Sequence, residues 1–498
     1  MPFEEILMEE ASIQKFDMFR HLKSWNSKSF TINDLSRALN LTYQQTYNIF
    51  QELLRDMAEL DPETSVKRGR HEVLERQGFR VSIDHYRVFL LQYSIAFQFL
   101  DYLLQQPHPT ITQFCDDYFV SRSTLLRKTT ALKKFVGQFG LKFSYSRLDL
   151  TGSERNIRLV LFYFYWLIFH GLSWPFKNIS HQDMIDLQDF VNQPTLEGEV
   201  AQAQEVLMLG ICVQRIQAGH LIDFHDDFEI QKVADVQPVR QALAKLVQLP
   251  LTQTQLAEEC HFIYFVRATR LSFALQQTQQ SETVYRYFEA QQDAVWQFMN
   301  YTMTYFAQHL SKEIQAEFLA DAPLKTNLLR LAARIAVIQQ PSPDLVDFTE
   351  ALIKPIPKRL SQLIDEFLTQ LVQMEDWPII TKQSRFLKRF LLYFLLPYAR
   401  YFKTADLVRI RLLIEDGLAT RELRLFLSTM NLVDLLPNNQ TQLAADLVIT
   451  TFDTQATMCF KTAPEAARNF YWPLNAGDGQ YFALRQCIRQ IYTAKNEV

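Results

Sequence analysis

Glycine is scarce in this chain, with 12 in 498 residues against an average usage of ~7%. That shortage excludes collagen-like repeats and argues against propellers and glycine-looped nucleotide sites. Cysteine is scarce too. The five present (Cys115, Cys212, Cys260, Cys459, Cys487) lie far apart with no C-x-x-C pair, so neither a disulfide framework nor a zinc knuckle is expected. The longest apolar run, Leu159–Phe169, is eleven residues, well short of the ~20 that a membrane span needs. The opening MPFEEILMEEAS is acidic where a secretory signal is basic, so the expected location is cytoplasmic. No G-x-S-x-G, H-E-x-x-H or Walker pattern occurs, and the chain reads as no enzyme, with no catalytic residue, cofactor or metal.

What is present suits packed helices. Hydrophobic residues make up 48% and charged residues 21%, enough apolar material for several cores. At ~150 residues per domain the length suggests about three. The formal charge is −4, yet Ser121–Arg158 holds nine basic residues (Arg122, Arg127, Lys128, Lys133, Lys134, Lys142, Arg147, Arg155, Arg158) and only Asp149 and Glu154 as acids. A local excess of +7 inside an acidic protein marks a surface for a polyanion.

The N-terminal third repeats one plan. A capped helix running to about Leu39, the turn Asn40-Leu41-Thr42 and a helix over Tyr43–Leu60 precede Lys67-Arg68-Gly69-Arg70 and the alternating Phe79–Ile83, which reads as a small hairpin. An apolar helix over His85–Gln105 follows. Then come a helix (Thr110–Tyr118), a turn (Phe119-Val120-Ser121), a longer helix (Ser123–Phe139) and a hairpin over Leu141–Gly152. Helix–turn–helix plus hairpin, twice, is the winged-helix plan. Residues 156–395 are almost continuously helical, in two blocks of similar size. After Asp406 short strands (Asp406–Leu413, Asp446–Thr451) alternate with helical stretches (Ala419–Met430, Ala463–Phe470, Gln480–Ala494), as in a small parallel α/β domain.

The second helix of such a motif enters the major groove of DNA. In the first copy Tyr47, Phe50, Leu53 and Leu54 supply the packed side. Thr42, Gln44, Gln45, Thr46 and Asn48 are left on the leading face, where amide side chains pair with adenine edges. In the second copy Leu125, Leu126 and Leu132 pack, and Ser121, Arg122, Ser123, Thr124, Arg127 and Lys128 lead, suited to phosphate and guanine. Against this stands a plain helical hairpin with a solvated basic face. Two copies with wings, one strongly basic, favour nucleic acid.

The run Ser121-Arg-Ser-Thr-Leu-Leu-Arg-Lys, Gly140-Leu-Lys-Phe and the tail Leu150-Thr-Gly152-Ser-Glu154-Arg-Asn-Ile-Arg158 resemble the second DNA-binding module of the Mga/AtxA family of transcriptional regulators. The resemblance implies a mainly α chain in five parts. These are winged helix-turn-helix domains over 1–85 and 86–158, helical-bundle regulatory domains of the phosphotransferase-system (PRD) type over 159–278 and 283–396, and a small α/β domain resembling phosphotransferase enzyme IIB over 401–498. It further implies a homodimer formed through the PRD-like and C-terminal domains, and phosphorylation of histidines by the phosphocarrier protein, with His220, His225 and His261 as candidates. By alignment the usual receiver positions fall near Met208 and Val266, neither a histidine. The enzyme IIB phosphoryl acceptor is a cysteine in the loop after the first strand; here that loop reads Ile414-Glu415-Asp416-Gly417. The implied function is a DNA-binding activator. The alternatives are an RNA-binding antiterminator with similar regulatory domains and, disfavoured by the missing cysteine, a catalytic phosphotransferase component.

Overall fold

A computed structural model of the chain describes residues 3–24, 29–61, 74–75, 80–106, 108–145, 148–191, 198–223, 236–247, 249–273, 278–348, 357–374, 376–402, 407–415, 417–437, 444–452 and 468–496. Most of these are helical. The chain divides into two compact units. One is Met1–Arg270 with Thr278–Val284 and Val337–Glu350; the other is Leu271–Gln277 with Tyr285–Ala336 and Ala351–Val498.

The first unit opens with α1 (Phe3–Leu7), α2 (Glu10–Ser24), α3 (Ile32–Leu39) and α4 (Tyr43–Leu60). Strand β1 (Ser29–Phe30) pairs antiparallel with β2 (Leu74–Glu75). The expected strand over Phe79–Ile83 does not form among its described residues, because Ser82 caps α5 (Ile83–Gln92) through its hydroxyl. The long helix expected over His85–Gln105 is two helices. It breaks at Ser94, which caps α6 (Ile95–Gln105) and donates its hydroxyl to the Leu7 carbonyl. A serine that satisfies the backbone locally competes with helix continuation.

The second motif comprises α7 (Ile111–Asp117), α8 (Arg122–Lys128) and α9 (Thr130–Gly137). The helix expected over Ser123–Phe139 is interrupted at buried Thr129, whose hydroxyl bonds back to the Leu125 carbonyl at 2.8 Å and to the Tyr145 hydroxyl at 2.8 Å. The second wing is antiparallel β3 (Lys142–Ser144) and β4 (Asp149–Thr151), with Phe143 opposite Leu150. A helical array follows: α10 (Glu154–Phe169), α11 (His181–Val191), α12 (Glu199–Gln217), α13 (Gln237–Leu246) and α14 (Gln253–Ala268). The eleven-residue apolar run falls inside α10, where Phe164, Tyr165 and Ile168 are fully buried. Phe348 returns to this unit and packs on Phe3, Phe135 and Phe164.

Further helices are α15 (Gln279–Gln291), α16 (Ala294–His309), α17 (Lys312–Ala320), α18 (Ala322–Ile338), α19 (Lys358–Gln373), α20 (Pro378–Thr381) and α21 (Ser384–Leu395). In the second unit Phe367 meets Phe306 at 5.0 Å, and Trp377 donates its indole N–H to the Ala294 carbonyl. The C-terminal part is a four-stranded sheet in order β6 (Val433–Leu435), β5 (Val408–Leu413), β7 (Leu447–Thr450), β8 (Arg468–Tyr471), every pair parallel. Helices α22 (Leu418–Thr429) and α23 (Asp478–Asn496) supply Leu423, Leu427, Leu484 and Ile488 to a core with Val408, Ile410, Ile449 and Trp472. Where Ala463–Phe470 was expected to be helical, Arg468–Phe470 pairs with β7 instead; Cys459 lies outside the described residues. No helix among the described residues is long and apolar enough to cross a membrane.

Candidate nucleic-acid interface

The two helix–turn–helix motifs coincide position for position. Thr31 caps α3 and Thr110 caps α7. Asn40 and Phe119 both take φ +54° in the turn, while Leu41 N–H and Val120 N–H donate to the Ser36 and Cys115 carbonyls at 3.1 and 3.0 Å. Thr42 caps α4 and Ser121 caps α8. Each pair is 79 residues apart, as Thr42 and Ser121 show. Left-handed backbone suits asparagine but costs a bulky residue about 1 kcal/mol or more, and Phe119 adopts it with its ring 95% exposed.

This shared register sorts the expected contact residues. Thr46 corresponds to Leu125 and, like it, is fully buried. Its hydroxyl donates to the Thr42 carbonyl at 2.8 Å, so it belongs to the core and not to the leading face. Three residues after each cap, Gln45 and Thr124 serve the helix ends. The Gln45 amide oxygen accepts from Thr42 N–H at 3.1 Å, and Thr124 Oγ1 lies 2.9 Å from Ser121 Oγ. Gln44 donates to Asn48 at 3.1 Å, both exposed. Ser123, also exposed, shares a hydrogen bond of 2.9 Å with Ser121. Arg122 and Arg127 are exposed.

Lys128 is not on that face. It corresponds to half-buried Ile49, and its ammonium sits 2.5 Å from the Glu9 carboxylate. Leu126, expected in the core, is 40% exposed, one helical turn from Arg122. Its counterpart Tyr47 is half-buried and stacks on exposed Tyr43 with centroids 6.5 Å apart and planes 11° from parallel. Tyr47 and Leu126 were expected in the core because apolar residues at helical spacing read as core. Only the shared offset of the two motifs distinguishes them.

The basic excess is smaller at the surface than in the sequence. Arg158 is fully buried; its guanidinium donates to both Glu259 oxygens at 2.5 and 2.9 Å and to Glu154 at 3.1 Å. Glu154 also accepts two bonds from Arg215, at 2.9 and 2.7 Å. Two guanidinium groups thus face two carboxylates, which is what makes burial of Arg158, Arg215 and Glu259 tolerable. Burial pushes the neighbouring Cys212 thiol up to about 11, against the pull of Arg158. Arg155 donates to the Val337 and Asp223 carbonyls, both at 2.8 Å. Gly152 has φ +143°, and a Cβ there would lie 2.6 Å from the Leu141 side chain and 3.2 Å from the Gly140 carbonyl. The tail from Leu150 to Arg158 therefore ties the second wing to α10, α12 and α14. Arg147 and the Lys67–Arg70 run lie outside the described residues.

His220 packs at the rim of this network. Its Nε2 is 3.9 Å from the Asp149 carboxylate on β4, and its carbonyl accepts from Arg158. Burial, then the Arg215 charge, lower its pKa against the pull of Asp149. His261 on α14 is lowered by burial and by Arg240. His225 lies outside the described residues. In the C-terminal domain the β5–α22 loop holds Glu415, whose carboxylate accepts from Thr451 Oγ1 at 2.6 Å and is lowered by that bond. Among the described residues no cluster of His, Cys, Asp and Glu is arranged to hold a metal.

Comparison with known proteins falls on the same segment. Residues 79–165, from just before α5 into α10, match the family model of the Mga helix-turn-helix domain. A Streptococcus pneumoniae serotype 4 protein whose name describes a trans-acting regulator is 24% identical over 139 residues, 27% of this chain and 28% of that protein. The capsule synthesis positive regulator AcpA of Bacillus anthracis is 23% identical over 236 residues, 44% of this chain and 45% of AcpA. The chain spans less than half the length of either relative. The paired motifs, the second wing and these matches together identify residues 79–165 as a helix-turn-helix domain of the Mga family.

Proposed function

We propose that the protein binds double-stranded DNA as a cytoplasmic transcriptional regulator, an activator, with α4 and α8 presented to successive major grooves. The observation that carries this reading is the outward arc of α8. Arg122, Ser123 and Arg127 are exposed together on it, and arginine there serves phosphate or guanine. Gln44 and Asn48 hold the same positions on α4, suited to adenine edges. The names of the two relatives, a trans-acting regulator and a positive regulator, agree with it. The role is regulatory and not catalytic. Competition between duplex DNA and hairpin RNA for the full chain tests it: duplex should displace RNA, and preferential retention of the RNA would instead support the antiterminator reading.

Two finer features complete the proposal. The chain acts as a homodimer through its PRD-like and C-terminal parts; exposed Leu418 and Leu425 on α22 and Phe482 on α23 supply apolar surface for it. Sugar supply enters through the phosphocarrier protein at His220, His225 or His261; burial lowers the pKa of His220 and His261, which favours the neutral, nucleophilic imidazole. Incubation with the phosphorylated carrier should label one of the three at an acid-labile N–P bond; label on none of them removes this input.

A further inference from the structure

We propose that Leu126 reads the 5-methyl group of thymine, a specificity contact that rests on the DNA-binding reading above. The leucine beside it, Leu125, is fully buried, as is Leu132, whereas Leu126 is 40% exposed. A single exposed leucine is ordinary on a protein surface. This one stands at the middle of the cationic arc. At ~100° per residue, Arg122 lies about 40° to one side, and Ser123 and Arg127 lie about 60° and 100° to the other.

The first motif repeats the arrangement, with Tyr47 at the equivalent position and turned outward enough to stack on exposed Tyr43. Both copies therefore place an apolar side chain five residues after the helix cap, flanked by Arg122 and Arg127 in the second and by Tyr43 and Asn48 in the first. Arginines on the flanks hold such a helix against phosphates, and its centre then meets the base edges. In the major groove the one apolar group on a base edge is the thymine methyl. A leucine is complementary to it and leaves an opposing cytosine or adenine amino group without a partner. Leu126 thus selects thymine and rejects the other bases at one position, while Arg122 and Arg127 hold the helix in register.

The test uses the full chain and duplexes enriched from a randomised pool by repeated rounds of binding. The selected duplex is resynthesised with deoxyuridine in place of each thymine in turn, which removes only the methyl group. At one thymine or more, uridine should weaken wild-type binding about fourfold, the worth of one buried methyl. That loss should vanish in Leu126→Ala and persist in Leu126→Met. Arg127→Ala should weaken thymine and uridine duplexes alike. Uridine tolerated at every position, a selected site without thymine, or a uridine penalty unchanged in Leu126→Ala would each overturn the contact. If Arg127→Ala still weakens binding in those cases, the DNA reading stands without it. A pool from which no duplex is enriched removes the DNA reading and this contact together.

Discussion

At Arg158 a guanidinium with no exposed surface is held by two carboxylates, Glu259 and Glu154. Removing one partner from such a pair strands the other charge and costs ~3–5 kcal/mol, while replacing both with apolar groups is near neutral. Arg158→Ala should therefore lower the melting midpoint of the first unit by several degrees, about 2–4 °C per kcal/mol for a unit of this size or somewhat less. The double variant Arg158→Met with Glu259→Leu should recover part of the loss. Differential scanning calorimetry checks this, and an Arg158→Ala protein melting like the wild type would exclude a structural charge cluster. In the sequence Arg158 counted as a surface cation, because charge is legible there and burial is not. Its partner Glu259 lies 101 residues away, a separation that no local pattern spans. The same blindness placed Thr46 on the surface and Leu126 in the core. Side-chain polarity pointed one way in each case, and position relative to the helix cap decided the other.

Among the elements, those defined by punctuation were readable. The turns at Asn40 and Phe119, the caps Thr42 and Ser121 and the second wing stand where turn and alternation signals put them. The α22 and α23 helices and strands β5 and β7 of the C-terminal sheet were equally plain. What failed was continuity. Two apolar stretches read as single helices break at Ser94 and Thr129, where hydroxyls bond to backbone or neighbouring groups. The break at Thr129 separates α8 from α9 and leaves α8 only seven residues long. Strand β8 was read as helix because its short segment, Arg-Asn-Phe-Tyr, has no alternation to separate it from helix. The candidate histidines carried the least local signal. The sequence offered three candidates, and His220 is the one found beside the wing, 3.9 Å from Asp149 on β4.

For the whole molecule the net charge of −4 means that attraction to a polyanion has to come from a local surface. On α8 the exposed cations are Arg122 and Arg127, since Lys128 is paired with Glu9, while Lys133, Lys134 and Lys142 are exposed on α9 and β3. The measurement that bears most directly on this is the salt dependence of duplex binding by the full chain, wild type against Arg122→Ala with Arg127→Ala. Each lost phosphate contact removes ~0.9 from the slope of log K against log [salt]. A slope shallower by about 1.8, with weaker binding to every duplex, is the expected result. An unchanged slope and affinity would show that the DNA contact surface does not include α8.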